Sequence, residues 1–324
     1  MKALYFDEFG DNSVLQYDEV EIPKISRDQL LIKTSYIGLN FADIYRRRGT
    51  YRIEKRSPYI NGYEALGQVV QCGENVKNFK LKDRVFFVDV PFAEAEYVCV
   101  PAEKAIKVPV GLDSKTVAAI GLQGLTADFL AHDLGNNQIG ENVFIHGISG
   151  GVGQILAQML TADGMNVYGT TSTIQKQQLA LSQGAKKVFL RNTDWKDASF
   201  ANFATVYDGV GITLKQSLEL ATNKGKVIFF GMAGGNPPLV NPLDLLGQSK
   251  SLLTGDLWDY LNSAAERKHR SERLFSYFVN DKIKISEPTV FPLAKGKEAY
   301  EYLESGKSIG KVLLLPEDHG WLKR

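Results

Sequence analysis

A glycine-rich turn between an apolar stretch and a helical stretch constrains the fold of this chain most strongly. Residues 143–153 read VFIHGISGGVG, and the residues that follow carry apolar side chains at helical spacing. The glycines depart from the usual G-x-G-x-x-G pattern and fit G-x-x-G-x-x-G, at positions 147, 150 and 153. Glycines let a backbone approach a pyrophosphate closely, and a helix start favours its negative charge. Because a tight turn can also need glycines for purely structural reasons, the flanking sequence has to decide between the two interpretations.

Strands and helices are predicted to alternate around this turn. A helix is predicted to begin near residue 114, with Ser114 as its cap. Buried strands, with helical spacing between most neighbours, are predicted at 142–146, 166–170, 187–190, 204–207, 226–230 and 251–254. This alternation predicts an α/β fold with a doubly wound parallel sheet of the Rossmann type. In that context the glycine turn favours a bound dinucleotide over a purely structural turn.

The two ends of the chain differ in texture from this central part. From residue 1 to about 115, short β-like stretches are separated by turn signals, which predicts a compact barrel. After about residue 262, helical or strand-like stretches are predicted at 273–279, 290–293, 297–303 and 311–315. Since the sheet already has its strands by residue 254, we expect this tail to rejoin the first domain. A length of 324 residues also favours two domains over one.

Composition and charge exclude several classes of protein. The 38 basic and 37 acidic residues nearly cancel, which argues against a surface that binds nucleic acid. The only cysteines, Cys72 and Cys99, have apolar neighbours and are interpreted as core residues, so a disulfide framework is excluded. Acidic residues stand too early for a signal peptide, and no apolar stretch is long enough to span a bilayer. A cytoplasmic location is therefore expected.

The residues that follow the glycine turn predict which dinucleotide binds. An acidic side chain about 20 residues after the glycines normally binds the adenosine ribose, but residues 164–193 contain no Asp or Glu. Hydroxyl and basic groups stand there instead: Ser172, Thr173, Lys176 and Arg191. Such groups bind a 2′-phosphate through charge-assisted hydrogen bonds, which predicts NADPH as the cofactor. The alternative interpretation is solvated surface charge.

Several further motifs carry a family resemblance that spans essentially the whole chain. They lie at 38–49, 62–67, 73–76, 124–127 and 206–211. With the glycine turn, they resemble the zinc-independent quinone oxidoreductases of the medium-chain dehydrogenase/reductase superfamily, the group that contains zeta-crystallin. The resemblance implies a GroES-like β-barrel catalytic domain from residues 1–117 completed by 263–324, and a Rossmann NADPH-binding domain from 118–262. It also implies a cofactor in the interdomain cleft and a homodimer formed through the strand near 252–255.

Metal chemistry is not expected from this resemblance. In zinc-dependent relatives the corresponding motifs carry a cysteine and a histidine ligand, where this chain has Asn40 and Tyr63. Neither residue is a good zinc ligand, and the chain lacks the cysteines for a structural zinc site. His146 is interpreted as a strand-end residue near the nucleotide rather than as a metal ligand or general base.

The resemblance also implies roles at the substrate end of the site. Asn40 and Thr126 are expected to line the nicotinamide or substrate, and Tyr45 to hydrogen-bond near the cofactor phosphates or the substrate oxygen. Asp43 is interpreted as a structural residue instead. Tyr51 is a candidate for donating a hydrogen bond or proton to the acceptor oxygen, and an apolar wall is the equal alternative.

At the nucleotide end, the backbone of the glycine turn is expected to contact the pyrophosphate. The residues assigned to cofactor binding are Ser149, Gly150, Gly151, Val152 and Gly153 at the turn, Ser172, Lys176 and Arg191 at the adenosine phosphate, Phe230, Gly231 and Met232 beside the nicotinamide, and Lys311 in the tail. Lys311 has solvent exposure as its alternative. The run Arg46, Arg47 and Arg48 is interpreted as a solvated loop, with guidance of an anionic ligand as the alternative.

The expected activity is hydride transfer from NADPH to a quinone or a similar electron-poor carbonyl acceptor, with a small molecule as the only partner besides the second subunit. Two other functions stay open. One is the reduction of an enone or enoyl-thioester double bond, which shares almost every feature. The other is a non-catalytic NADPH-binding protein of the crystallin or RNA-binding kind, against which the near-neutral charge counts.

Overall fold

The computed structural model describes residues 1–54, 58–193 and 202–317. The strands are β1 (Lys2–Phe6), β2 (Gln16–Glu19), β3 (Gln29–Gly38), β4 (Tyr59–Ile60), β5 (Glu64–Cys72), β6 (Arg84–Val88), β7 (Tyr97–Pro101), β8 (Ala105–Lys107), β9 (Asn142–His146), β10 (Asn166–Thr171), β11 (Lys187–Leu190), β12 (Phe203–Asp208), β13 (Ala221–Phe229), β14 (Ser251–Thr254), β15 (Thr289–Pro292) and β16 (Val312–Leu315). The helices are α1 (Phe41–Arg47), α2 (Ser114–Phe129), α3 (Gly151–Ala162), α4 (Ile174–Ser182), α5 (Leu214–Leu220), α6 (Pro242–Leu246), α7 (Ala264–Val279) and α8 (Gly296–Glu304).

Two compact units divide these elements. Unit 1 contains residues 1–122, 263–271 and the chain from 286 onward, and unit 2 contains Gln123–Asn262 and Glu272–Ile285. The boundaries therefore fall inside α2 and α7. The predicted boundaries assigned the whole tail from 263 to the first domain, and the structure differs because residues 272–285 pack within unit 2.

Unit 1 is built from antiparallel strands. Its larger sheet has the order β15-β16-β3-β5-β6-β8, with β7 paired to β3, and a smaller sheet has the order β2-β1-β4. The long central strands β3 and β5 turn apolar side chains such as Leu30, Ile32 and Val69 into one core. The tail strand β16 pairs with β3, so the return of the chain to the first unit is observed for β15, β16 and α8.

Unit 2 contains the doubly wound parallel sheet, in the order β11-β10-β9-β12-β13-β14. All its strand pairs are parallel. This confirms the predicted α/β fold with a Rossmann sheet. The strand order reverses between β9 and β12, and in sheets of this kind ligands bind beyond the carboxyl ends of the strands at such a point.

Three local features differ from the sequence-based expectations. Asp113, not Ser114, caps α2, since the Thr116 amide donates to Asp113 Oδ1 at 2.9 Å while Ser114 Oγ accepts from Arg84 at 3.2 Å. Strand β13 begins five residues earlier than the predicted start at 226 and ends at Phe229. Both cysteines are half-buried rather than fully buried, although Cys72 packs against the core of unit 1. No helix in the described ranges is long and apolar enough to cross a membrane.

Candidate active site

The glycine turn joins β9 to α3 through a conformation that requires glycine at two positions. Gly147 has a φ of +70°, and its carbonyl accepts from the Gly150 amide at 2.9 Å. A Cβ on Gly153 would lie 2.3 Å from the Gly147 carbonyl oxygen, so only glycine allows this approach of helix and turn. The first amides of a helix have no partners within it. The turn therefore presents the amino end of α3 at the carboxyl edge of the sheet.

Gln123 is a residue of this region that the sequence analysis missed. It lies in α2, and a Cβ added to Gly151 would stand 2.1 Å from its side-chain oxygen Oε1. That oxygen is buried and has no hydrogen-bond partner among the described residues. A buried acceptor of this kind costs free energy unless a donor satisfies it. Its position directly before the motif at 124–127 is the signal that could have identified it.

A hydroxyl–hydroxyl contact and an imidazole–hydroxyl contact fix the ends of the neighbouring strands. Ser149 Oγ lies 2.5 Å from Thr171 Oγ1, and His146 Nδ1 lies 3.2 Å from Thr170 Oγ1. His146 is the last residue of β9, and its burial lowers the pKa of the imidazole to about 4. The imidazole is therefore neutral at physiological pH, which agrees with its interpretation as a strand-end residue.

This buried histidine predicts acid sensitivity. Its pKa is about 4 in the folded protein and near 6.5 in the unfolded chain, so the unfolded state binds the extra proton first and stability falls as the pH decreases from 6.5 towards 4. We expect His146 to account for a loss of ~2 kcal/mol in unfolding free energy between pH 7 and pH 5. Because His146→Gln removes this imidazole, the unfolding free energy of the variant, measured in urea, should depend less on pH between 7 and 5. The His269→Gln variant, changed at an exposed histidine, should behave like the wild type. Equal pH dependence in His146→Gln and the wild type would contradict the assignment.

Basic side chains gather beyond β10 and β11. Lys176 lies in the first turn of α4, and its amide donates to the capping hydroxyl of Thr173 at 3.3 Å. The Lys176 side chain is largely buried, with 8% exposed, and burial together with the charge of Arg191 lowers its pKa. Arg191 is exposed, and its amide donates to Thr171 at 2.8 Å. The charge of Arg191 thus acts on the Lys176 ammonium, and an anion bound near the two side chains would stabilise both positive charges.

Two loops follow the strands on the other side of the switch point. The buried carboxylate of Asp208 accepts from the amides of Val210 and Gly211 at 2.9 and 3.0 Å, and from Thr213 and Ser217 hydroxyls. The half-buried residues Phe230, Gly231 and Met232 begin the second loop, and the Phe230 amide donates to the Asp208 carbonyl at 3.0 Å. Asp208 therefore fixes both loops at the carboxyl edge, in unit 2.

Unit 1 contains a buried polar cluster around Glu64, which we call the Glu64 cluster: Asn40, Glu64 and Lys311. The Lys311 ammonium donates to Glu64 Oε2 at 2.6 Å and to Asn40 Oδ1 at 2.9 Å, and Asn40 Nδ2 donates to Glu64 Oε2 at 2.9 Å. The other carboxylate oxygen accepts from the Leu122 amide at 2.7 Å. Lys311 is 2% exposed, so the alternative interpretation of a solvent-exposed lysine is wrong.

The arginine run does not form a solvated loop. Arg46 and Arg47 lie in α1 and are 1% and 0% exposed, because each has an acidic and an aromatic partner. Arg46 pairs with Asp43 at 3.0 Å, and Arg47 pairs with Glu304 at 2.7 Å. Asp43 also accepts from the Asn40 amide at 2.9 Å, which makes it a structural residue, and burial raises its pKa to about 6. Only Arg48 is exposed.

The remaining predicted residues are divided between the units. Tyr45 and Tyr51 lie half-buried in unit 1, where the Tyr45 ring contacts Phe41 and the Tyr51 ring faces Arg46. Thr126 lies half-buried in α2, in unit 2. Tyr63, at the position of a histidine ligand in zinc-dependent relatives, stacks on Arg46 and donates to Glu54. In the described residues, no group of three His, Cys, Asp or Glu side chains could hold a metal ion.

Comparison with known proteins accounts for this architecture. Residues 26–110 match the model of the alcohol dehydrogenase GroES-like domain, and residues 151–262 match that of the zinc-binding dehydrogenases. A probable quinone oxidoreductase of Schizosaccharomyces pombe is 35% identical over 317 residues, which cover 94% of each chain. The chain belongs to the quinone oxidoreductase family of the medium-chain dehydrogenases/reductases. This confirms the predicted GroES-like domain and the resemblance on which it was based.

Two other similar proteins have names that state a cofactor or a substrate. The Escherichia coli quinone oxidoreductase, solved in complex with NADPH, has a TM-score of 0.93 and 30% identity, and the match covers 98% of this chain and 100% of that one. A 2-haloacrylate reductase of Burkholderia is 30% identical over 98% of this chain and 99% of its own. Quinones and an activated alkene thus occur among the substrates that the names of these relatives give.

Proposed function

We propose that this chain is an NADPH-dependent oxidoreductase that transfers a hydride to a quinone or a similar electron-poor carbonyl acceptor without a zinc ion. The observation that carries the proposal is the position of two basic side chains, the buried Lys176 and the exposed Arg191, beyond the strands that follow the glycine turn. A 2′-phosphate would accept charge-assisted hydrogen bonds from these two side chains, and NADPH carries one where NADH does not. The relatives named above support the same cofactor and acceptor.

The nucleotide end of unit 2 fits the cofactor. A Cβ on Gly150 would meet one atom within 4 Å, the Gly147 oxygen at 3.2 Å, so the turn leaves room for a pyrophosphate on this side. The amides of residues 149–153 would hold that pyrophosphate, and Gln123 offers a buried acceptor for a hydroxyl. Ser172, Lys176 and Arg191 would hold the adenosine phosphate, and Phe230, Gly231 and Met232 would contact the nicotinamide.

Hydroxyl groups at the substrate end would donate hydrogen bonds to the acceptor oxygen. When bound, NADPH supplies the hydride. A quinone becomes a hydroquinone by taking up one hydride and one proton, so negative charge develops on a quinone oxygen until the proton arrives. A hydroxyl that donates a hydrogen bond to this oxygen lowers the energy of the transition state. Tyr45, Tyr51 and Thr126 carry such hydroxyls, and we assign this role first to Tyr51.

The side chains of Asn40 and Tyr63 support a reaction without zinc, because both are already bound to other side chains. The side-chain carboxamide of Asn40 accepts a hydrogen bond from Lys311 and donates one to Glu64, and Tyr63 contacts Arg46 and Glu54. These residues stand where zinc-dependent relatives have their cysteine and histidine ligands, and amide and phenol groups bind zinc poorly. Lys311 itself, predicted to bind the cofactor, has its ammonium in the Glu64 cluster. We therefore assign it to the catalytic unit and keep its cofactor contact as a prediction.

Reduction of an activated double bond is the second candidate, and the 2-haloacrylate reductase among the relatives favours it. Hydride addition to the β-carbon of an enone also places negative charge on a carbonyl oxygen, so the same hydroxyls would serve.

Cytoplasmic location and a homodimer complete the proposal. The dimer is supported by the resemblance and by the position of β14 at an edge of the six-stranded sheet.

A panel assay tests the function. Purified protein treated with a chelator is mixed with NADPH and, separately, with benzoquinone, naphthoquinone, methyl vinyl ketone or 2-chloroacrylate. We expect quinone-dependent loss of NADPH absorbance at the rate of the untreated protein. Activity restored only by zinc would contradict the metal-free reaction. Turnover with the enone or the haloacrylate alone would select the second candidate, and no turnover would favour a non-catalytic NADPH-binding protein.

A further inference from the structure

Arg46 is a buried arginine whose guanidinium lies between two tyrosine rings. Its central carbon is 3.6 Å from the centroid of the Tyr63 ring and 5.1 Å from that of the Tyr51 ring. Guanidinium groups stack on aromatic faces because the flat cation is attracted to the ring electrons. The stacking therefore restricts the position of the Tyr51 ring, which belongs to a segment without helix or strand.

Two hydrogen bonds fix Arg46 to the same segment and to the helix from which it comes. Arg46 Nε donates to the Arg52 carbonyl at 3.2 Å, and a terminal nitrogen donates to Asp43 Oδ1 at 3.0 Å. The backbone leaves α1 directly after Arg48, through Gly49 with a φ of +70°. The Arg46 side chain thus holds both the ring at position 51 and the backbone at position 52.

Asp43 connects this arrangement to the Glu64 cluster. Its Oδ1 accepts from Arg46, and its Oδ2 accepts from the Asn40 amide at 2.9 Å. One carboxylate therefore relates the positions of Arg46 and Asn40. The path from Lys311 through Asn40 and Asp43 to Arg46 consists of hydrogen bonds between buried groups.

We propose that Arg46 is a positioning residue that holds Tyr51 in place for hydrogen bonding to the acceptor oxygen. The proposal rests on the proposed function, because it takes Tyr51 as the donor. A planar, five-donor group is needed: lysine would keep a charge beside Asp43, but it lacks the flat stacking surface and the Nε donor to Arg52. Arg46 itself need not touch the substrate or the cofactor.

Arg47 offers a matched control one residue away. It is also fully buried, also pairs with a carboxylate, and also lies over a tyrosine ring, at 5.1 Å from Tyr300. Its side chain contacts Asn12, Glu304 and Tyr300, which all lie outside the segment 49–54. Replacement of either arginine by lysine disturbs the ion pair of a buried arginine, although Glu304 is 26% exposed, and only the change at position 46 alters the support of Tyr51.

The experiment compares Arg46→Lys with Arg47→Lys. For Arg46→Lys we expect kcat for benzoquinone to fall ~10-fold while the NADPH dissociation constant stays within about twofold, because ground-state binding of the cofactor does not involve Tyr51. Arg47→Lys should keep kcat within about twofold of the wild type even if its urea midpoint falls as far. Equal losses of kcat in the two variants would overturn the proposal.

A double-mutant cycle with Tyr51→Phe tests whether Arg46 acts through Tyr51. If it does, Arg46→Lys lowers kcat by less than about twofold in the Tyr51→Phe background, because the hydroxyl that it positions is already absent. Losses that multiply in the double variant would contradict this route.

Hydrogen exchange decides the structural half of the proposal without any assay of activity. Arg46→Lys should speed amide exchange in a peptide that covers residues 49–54, and Arg47→Lys should not. If the wild type fails to reduce any quinone, the proposed function is wrong but the exchange result still decides whether Arg46 holds this segment. Unchanged exchange in Arg46→Lys would overturn the inference even if the enzyme is active.

Discussion

Lys176→Ala is expected to weaken NADPH binding by ~10- to 100-fold and to leave NADH binding within about twofold, because a charge-assisted hydrogen bond to a phosphate is worth roughly 1.5–3 kcal/mol. Lys176 is the less exposed of the two cations beyond β10 and β11, and its pKa is lowered by burial and by Arg191. The buried ammonium already bears the cost of desolvation before a ligand arrives. A phosphate that pairs with it gains more than it would at a solvated lysine.

The measurement is a fluorescence titration of each variant with both nucleotides. Lys186→Ala is the matched control, since Lys186 is exposed and precedes β11 at the opposite edge of the same sheet. It should leave both dissociation constants unchanged. Equal weakening of NADPH and NADH by Lys176→Ala would mean that Lys176 contacts a part shared by the two nucleotides, and the assignment of the 2′-phosphate site would be wrong.

Lys311→Met is expected to lower the free energy of unfolding of unit 1 by about 3–5 kcal/mol, since it leaves the Glu64 carboxylate buried without its cation. The Glu64 cluster has little room to adjust. A Cβ on Gly38 would stand 2.3 Å from Glu64 Oε2, and one on Gly121 would stand 2.5 Å from Oε1. Water therefore cannot easily replace the ammonium.

The double variant Lys311→Met with Glu64→Gln separates charge from packing. It removes both charges, so we expect it to recover part of the stability lost in Lys311→Met. Urea unfolding at neutral pH measures both variants under the same conditions. A double variant less stable than Lys311→Met would contradict this account, because it would show that the unpaired charge of Glu64 is not what destabilises the single variant.

The parallel sheet could be predicted from sequence because most of its strands contain a short apolar run, such as residues 143–145 in β9 and 188–190 in β11. The strands predicted at 142–146, 187–190 and 251–254 have the bounds of β9, β11 and β14. Strand β13 extends further because Ala221 pairs with Phe203 before a register shift, and residues 222–225, which follow, are polar or glycine. Apolar periodicity does not report on such a segment.

The site residues of unit 2 could be predicted from sequence for the same reason, whereas the buried polar contacts of unit 1 could not. The cofactor residues follow strand ends that the pattern predicts, so their placement at one edge comes from topology alone. Lys311 and Glu64 are far apart in sequence, as are Arg47 and Glu304, and each pair meets only after folding. A charge run in a single sequence looks solvated until such distant partners are known, and for this reason the interpretation of Arg46 and Arg47 was wrong.

Quinone-dependent oxidation of NADPH by the purified, chelator-treated protein tests the central claim most directly. The nicotinamide absorbance is followed with benzoquinone as acceptor, against a sample without protein and a parallel sample with NADH. We expect rapid, saturable loss of NADPH and much slower loss of NADH at the same nucleotide concentration. A rate no higher than that of the protein-free sample, or equal rates with the two nucleotides at low concentration, would contradict it.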